Sequence, residues 1–89
     1  PQEIEEAAIA TDFAAEAVAL GIPDERLGHA VHLVVRGVTD EAEQAKLSKA
    51  LRRELPNFMQ PHTIHWRDAM PLNPNGKLDR TAIAAELGA

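Results

Sequence analysis

His29-Ala30-Val31-His32-Leu33-Val34-Val35-Arg36 decides the fold. A strand with one wet face alternates apolar and polar residues, but Val31, Leu33, Val34 and Val35 make a nearly continuous apolar run. Such a run reads as a central strand covered on both faces. Ahead of it, Pro23-Asp24-Glu25-Arg26-Leu27-Gly28 reads as a turn, and Ala14 to Ile22 as a first strand whose Val18, Leu20 and Ile22 share one parity. Alanine is a poor strand former, so that strand rests on its β-branched and bulky positions.

Beyond the central run, Asp40 to Leu55 carries Leu47, Ala50, Leu51 and Leu55 at helical spacing, opens on Asp40 as a cap and must stop near Pro56. Thr63 to Trp66 supplies a third strand with Ile64 and Trp66 on one face, Trp66 being a core anchor. Two more helices flank these elements. Ile4, Ala7 and Ala8 share a helical face from Pro1 to about Ala10, and Asp79 caps a helix through Thr81, Ala82, Ile83 and Leu87 that Gly88 ends. The expected architecture is α+β, a small sheet of about three strands packed with three helices in one domain spanning 1–89.

Totals narrow the function. Nine Lys and Arg against fourteen Asp and Glu give a formal net charge of −5, which lacks the basic footprint of a nucleic-acid binder. The absence of cysteine removes disulfides, thiolate nucleophiles and Cys-based metal sites, and makes the cytoplasm the default compartment. No run approaches the ~18 apolar residues of a membrane span, and Pro1-Gln2-Glu3-Ile4-Glu5-Glu6 is not zoned like a signal peptide. Opening without Met on a helix-like segment, the chain reads as an excised piece.

His29, His32, His62 and His65 suggest a metal site, but residues three apart on a strand point to opposite faces, and sheet surface or packing is the plainer role. Glu3, Glu5 and Glu6 read as a solvated first-turn cluster. Met70-Pro71-Leu72-Asn73-Pro74-Asn75-Gly76-Lys77-Leu78-Asp79-Arg80 must be a stiff, exposed loop, in which Asn75-Gly76 at positive φ presents Lys77 outward. A lysine held so suits an anion arriving from another surface. The phosphate-cradling loop Gly-x-x-x-x-Gly-Lys-Ser/Thr is excluded, because Leu72 stands at its first glycine and Leu78 at its hydroxyl position.

Pro71 to Arg80 also resembles the carboxy-terminal signature of the adenylate-forming superfamily: acyl-CoA synthetases, nonribosomal peptide synthetase adenylation domains and luciferases. Three further segments resemble that family in order: Pro1 to Glu5, like the end of its hinge motif; Val18 to Gly28, like its strand and turn; and Leu55-Pro56-Asn57-Phe58-Met59-Gln60-Pro61. A fainter likeness, in Asn57 to Pro61 and His29 to Val35, is to exosortase-associated acyl-CoA ligases.

The resemblance implies the carboxy-terminal lid of an AMP-forming acid–thiol ligase, with Lys77 catalytic in joining a carboxylate to ATP. Gly76 and Arg80 would serve substrate binding or loop shape, and Arg26 and Gly28 would face the thiol donor in a rotated state. It implies ATP and Mg2+ held mainly by a large amino-terminal domain, coenzyme A or the phosphopantetheine of a carrier protein as acceptor, and no activity for the lid alone. The rival reading is an α+β interaction module that binds a protein through the Pro56 to Pro61 and Pro71 to Gly76 loops.

Overall fold

The computed structural model describes residues 2–26 and 28–88. Pro1, expected in the first helical turn, and Leu27, expected in the strand-to-strand turn, lie outside the described residues. The elements run α1 (Gln2–Ala10), β1 (Glu16–Asp24), β2 (Gly28–Arg36), α2 (Glu41–Glu54), β3 (Thr63–Arg67) and α3 (Arg80–Glu86), with a short 3-10 turn at Asn57–Met59.

β2 is the centre of a sheet ordered β1-β2-β3. β1 pairs with it antiparallel, Val18 opposite Val34 and Ala19 opposite Leu33. β3 pairs with it parallel, Leu33 opposite Ile64 and Val35 opposite Trp66. A parallel partner needs a crossover, and α2 supplies it.

The unbroken apolar run has the expected cause. Leu33 and Val35 pack with Ile4, Ala8, Ala19, Leu47 and Leu51, so α1 and α2 cover one sheet face, while Val34 packs with Val18, Met70 and Ile83 on the other. Ile64 and Trp66 lie partly buried against the α1/α2 face, as their shared parity predicts. The alanines of β1 fit the same picture, since Ala19 is buried beneath a helix that a larger side chain would hold away.

α2 begins and ends as the sequence dictates. Asp40 accepts a hydrogen bond from the Ala42 amide, and Pro56 follows the Leu55 cap. Gln60, which no sequence rule singled out, donates through Nε2 to the carbonyls of Leu51 and Leu55, both 2.8 Å away, and satisfies acceptors that a helix end leaves open.

β2 starts one residue earlier than expected, at Gly28, β3 ends one later, at Arg67, and α3 ends one earlier, at Glu86, but the bounds of β1 differ most. β1 starts at Glu16 and runs through Pro23 to Asp24, where the sequence placed a strand from Ala14 to Ile22 and a turn from Pro23. An edge strand tolerates proline because its outer N–H has no ladder partner to lose. The hairpin therefore turns tightly after Asp24, with Gly28 at φ 79° re-entering β2.

Candidate functional site

Residues 70–80 form a closed loop tied at three levels. The Asp79 amide donates to the Pro71 carbonyl at 2.9 Å, Leu72 bridges Leu78 antiparallel, and the Asn73 amide donates to the Lys77 carbonyl at 2.7 Å. At the tip the Asn73 side chain accepts from the amides of Asn75 at 2.9 Å and Lys77 at 3.1 Å, while the Gly76 amide donates to the Asn73 carbonyl at 2.9 Å. Asn73 thus performs in one residue what a turn of backbone would.

Gly76 sits at φ 78°, in the left-handed region, with open space where a Cβ would be. Asn75 does not share that conformation, so the expectation of positive φ holds for the glycine alone. The tip lifts Lys77 into solvent, and its ammonium has no hydrogen-bond or ion-pair partner among the described residues. Beneath it Met70, Leu78 and Ile83 anchor the loop in the second core cluster.

Arg80 is the first residue of α3, one position beyond the closed base of the loop. Its guanidinium grips Glu5 of α1 with both forks, Nη1 to Oε2 at 2.7 Å and Nη2 to Oε1 at 2.9 Å. Oε2 of the same carboxylate accepts from the Ala19 amide of β1 at 2.7 Å. Burial would raise the Glu5 pKa, but the Arg80 hydrogen bond, the Ala19 amide and the Arg80 charge outweigh it and hold it below the ordinary carboxylate value.

Glu5 is therefore no member of a solvated cluster. Its side chain is only 13% exposed because Ile4 and Ala8 on the same helix face the core and draw it to the sheet edge. Sequence reading missed this, since three acids in one turn look alike until a tertiary partner 75 residues away selects one.

Arg26 and Gly28 lie together at the β1–β2 turn, both exposed, with Asp24 accepting from the Arg26 amide at 2.9 Å. Of the four histidines, the sheet brings two together. His32 Nδ1 and His65 Nε2 are 2.9 Å apart on neighbouring strands, sharing one N–H. Burial, His32 and Arg67 lower the His65 pKa. His62 Nδ1 instead accepts from the Val31 amide, and among the described residues no group of three His, Cys, Asp or Glu could hold a metal ion. A groove of about 610 Å3 between α1 and α2, rimmed by Glu3, Glu6 and Glu54, takes none of its lining from the Lys77 loop.

Residues 3–77 match the family model of the AMP-binding enzyme C-terminal domain. CymA of Salinispora arenicola, named as a nonribosomal peptide synthetase, is 40% identical over 83 residues, which are 93% of this chain and 1% of that protein. The D-alanine--D-alanyl carrier protein ligase of Staphylococcus aureus is 33% identical over 93% of this chain and 18% of its own length. Among solved structures, the fatty acyl CoA synthetase of Mycobacterium tuberculosis superposes with a TM-score of 0.82 at 26% identity, covering 97% of this chain and 17% of that one. The chain thus spans less than a fifth of each of these relatives.

Proposed function

The chain belongs to the AMP-binding enzyme C-terminal domain family, and from that premise we propose that it is the catalytic lid of an AMP-forming acid–thiol ligase, with Lys77 as the residue that enters the active site. The observation that carries this reading is the exposed Lys77 ammonium, free of any described partner on a loop whose shape is fixed from within. A surface charge with no task needs no such scaffold.

In the first step a carboxylate oxygen attacks the α-phosphorus of ATP, the bond to pyrophosphate breaks, and an acyl-adenylate forms. Lys77 stands between the carboxylate and the α-phosphate, where negative charge gathers on oxygen. A cation about 4 Å from one such charge contributes roughly 4 kcal/mol at an effective dielectric of 20, in a site from which closure expels water. In the second step the lid turns, a thiolate sulfur attacks the acyl carbon, and AMP departs. The β1–β2 turn, with Arg26 and Gly28, is the surface offered to the thiol donor in that state.

On this reading the large domain holds ATP and its Mg2+, as the family resemblance implies. The acceptor is coenzyme A or a carrier-borne phosphopantetheine. The relatives span both kinds of name, a fatty acyl CoA synthetase and a carrier protein ligase. The faint likeness to exosortase-associated ligases makes coenzyme A the first acceptor to assay, and a nonribosomal peptide synthetase lid is the second reading, favoured by the 40% identity to CymA.

The test uses the enzyme containing this lid and its large domain. Lys77→Ala is expected to slow pyrophosphate release by about 10²–10³, the typical cost of losing a preorganised charge partner, while thioester formation from supplied acyl-adenylate stays within a few-fold. Equal losses in both steps would remove Lys77 from its assigned role.

A further inference from the structure

We propose that Glu5 and Arg80 form a positioning clamp that holds the Lys77 loop to the body of the lid, so that Lys77 enters the active site at a fixed place. This rests on the proposed role of Lys77. It adds a positioning role for Glu5 and Arg80.

α3 is a weak anchor by itself. It has seven residues, and Ile83 is the only one of them that is fully buried. The loop it follows is closed at Pro71 and Asp79, so any rocking of α3 about Ile83 carries the base of the loop, and Lys77 at its tip, with it. Arg80, the residue next to that base, resists this motion through a two-pronged bond to Glu5. Two parallel N–H···O bonds restrain orientation as well as distance.

Glu5 is itself immobilised by the Ala19 amide of β1 and by its low exposure. The second tie on α3, Arg67 to Glu86, sits at the opposite end of the helix from the loop. The clamp therefore joins the first helix, the sheet edge and the loop base at one carboxylate.

Two of the five guanidinium N–H groups of Arg80 are committed to Glu5, and the pair of bonds fixes where the base of the loop sits, so the contribution assigned to Arg80 is geometric. A misplacement of about 1 Å in a reacting group costs ~10²-fold in rate. A loosened but still folded loop is expected to lose about tenfold, within that ceiling.

The experiment measures both half-reactions in the enzyme with its large domain for Arg80→Met, Arg80→Lys and Glu5→Gln, the last retaining an acceptor for the Ala19 amide. Arg80→Met is expected to lower the adenylation kcat about tenfold with the KM for ATP unchanged, and to spare thioester formation from supplied acyl-adenylate. Arg80→Lys, which keeps the charge without the fork, should recover part of the loss. Glu5→Gln combined with Arg80→Met should be no slower than the worse single variant.

Adenylation within twofold of the parent for Arg80→Met, equal loss in both half-reactions, or additive single effects would each overturn the clamp. Lys77→Ala run alongside separates the two ideas. An unaffected Lys77→Ala enzyme sinks the functional reading and the clamp together, whereas an impaired one beside a normal Arg80→Met enzyme sinks the clamp alone.

Discussion

The two faces of the sheet are built for different work. Under α1 and α2, Ile4, Ala8, Leu33, Val35, Leu47 and Leu51 make a continuous apolar cluster. On the opposite face Val18, Val34, Met70 and Ile83 form a smaller one beneath a short helix and a long loop, and the His32–His65 pair shares the sheet parity of Val34. The thick face holds the domain together; the thin face, with little apolar area to spend, is organised by hydrogen bonds at Asn73 and the ion pair at Arg80. A loop fixed by polar contacts can be stiff without being buried, which is the condition that the role proposed for Lys77 sets.

Breaking the thick face should show the largest effect. Leu47→Ala, at a fully buried position, is expected to cost about 2–5 kcal/mol in urea unfolding. Lys77→Ala, at an exposed one, should leave unfolding within about 0.5 kcal/mol while removing most adenylation. A large stability loss in the lysine variant would erase the contrast between the faces.

Asn73→Ala is intermediate. It removes the acceptor for two loop amides and should cost about 1 kcal/mol, with adenylation falling more than unfolding stability alone explains. The measurement is pyrophosphate release in the joined enzyme against the melting curve of the same protein. Unchanged release would show that the tip is shaped by Gly76 and the prolines without Asn73.

Acid should act in two small stages, both on groups tied to these contacts. His65 has a lowered pKa in the fold, so it favours the neutral form; its contribution is complete above the unfolded value near 6.5 and declines as pH falls below it. Glu5 also has a lowered pKa, so its contribution is present above the unfolded carboxylate value and is lost as pH falls through the folded one. A stability profile in His65→Gln should lack the first decline and keep the second. Persistence of the first would assign it to another histidine.

What the sequence disclosed follows the range of each interaction. The Val31 to Val35 run, the Asp40 cap, the Pro56 stop and the Gly76 turn were legible because each obeys a rule acting over a few residues. The lid family was legible because Pro71 to Arg80 carries a contiguous signature, and the family match bears it out. Pairings made by the sheet were not. The parallel direction of β3, the meeting of His32 with His65 and the choice of Glu5 among three acids depend on which strands lie side by side, which periodicity does not encode. The short 3-10 turn escaped for a simpler reason, three residues being too few to show a period.

The strand order also governs how the chain acquires its structure. β1 and β2 are joined by a tight turn and can zip locally, on the microsecond scale of hairpins, but β3 reaches β2 only after the whole of α2 has been made. During synthesis the hairpin therefore waits with one side of an apolar strand unpaired, open to wrong partners until Thr63 to Arg67 leave the ribosome and dock. Truncation before Thr63, which leaves one edge of β2 unpaired beneath α1 and α2, should yield an aggregating chain, and slow steps in refolding should map to the closure of β3.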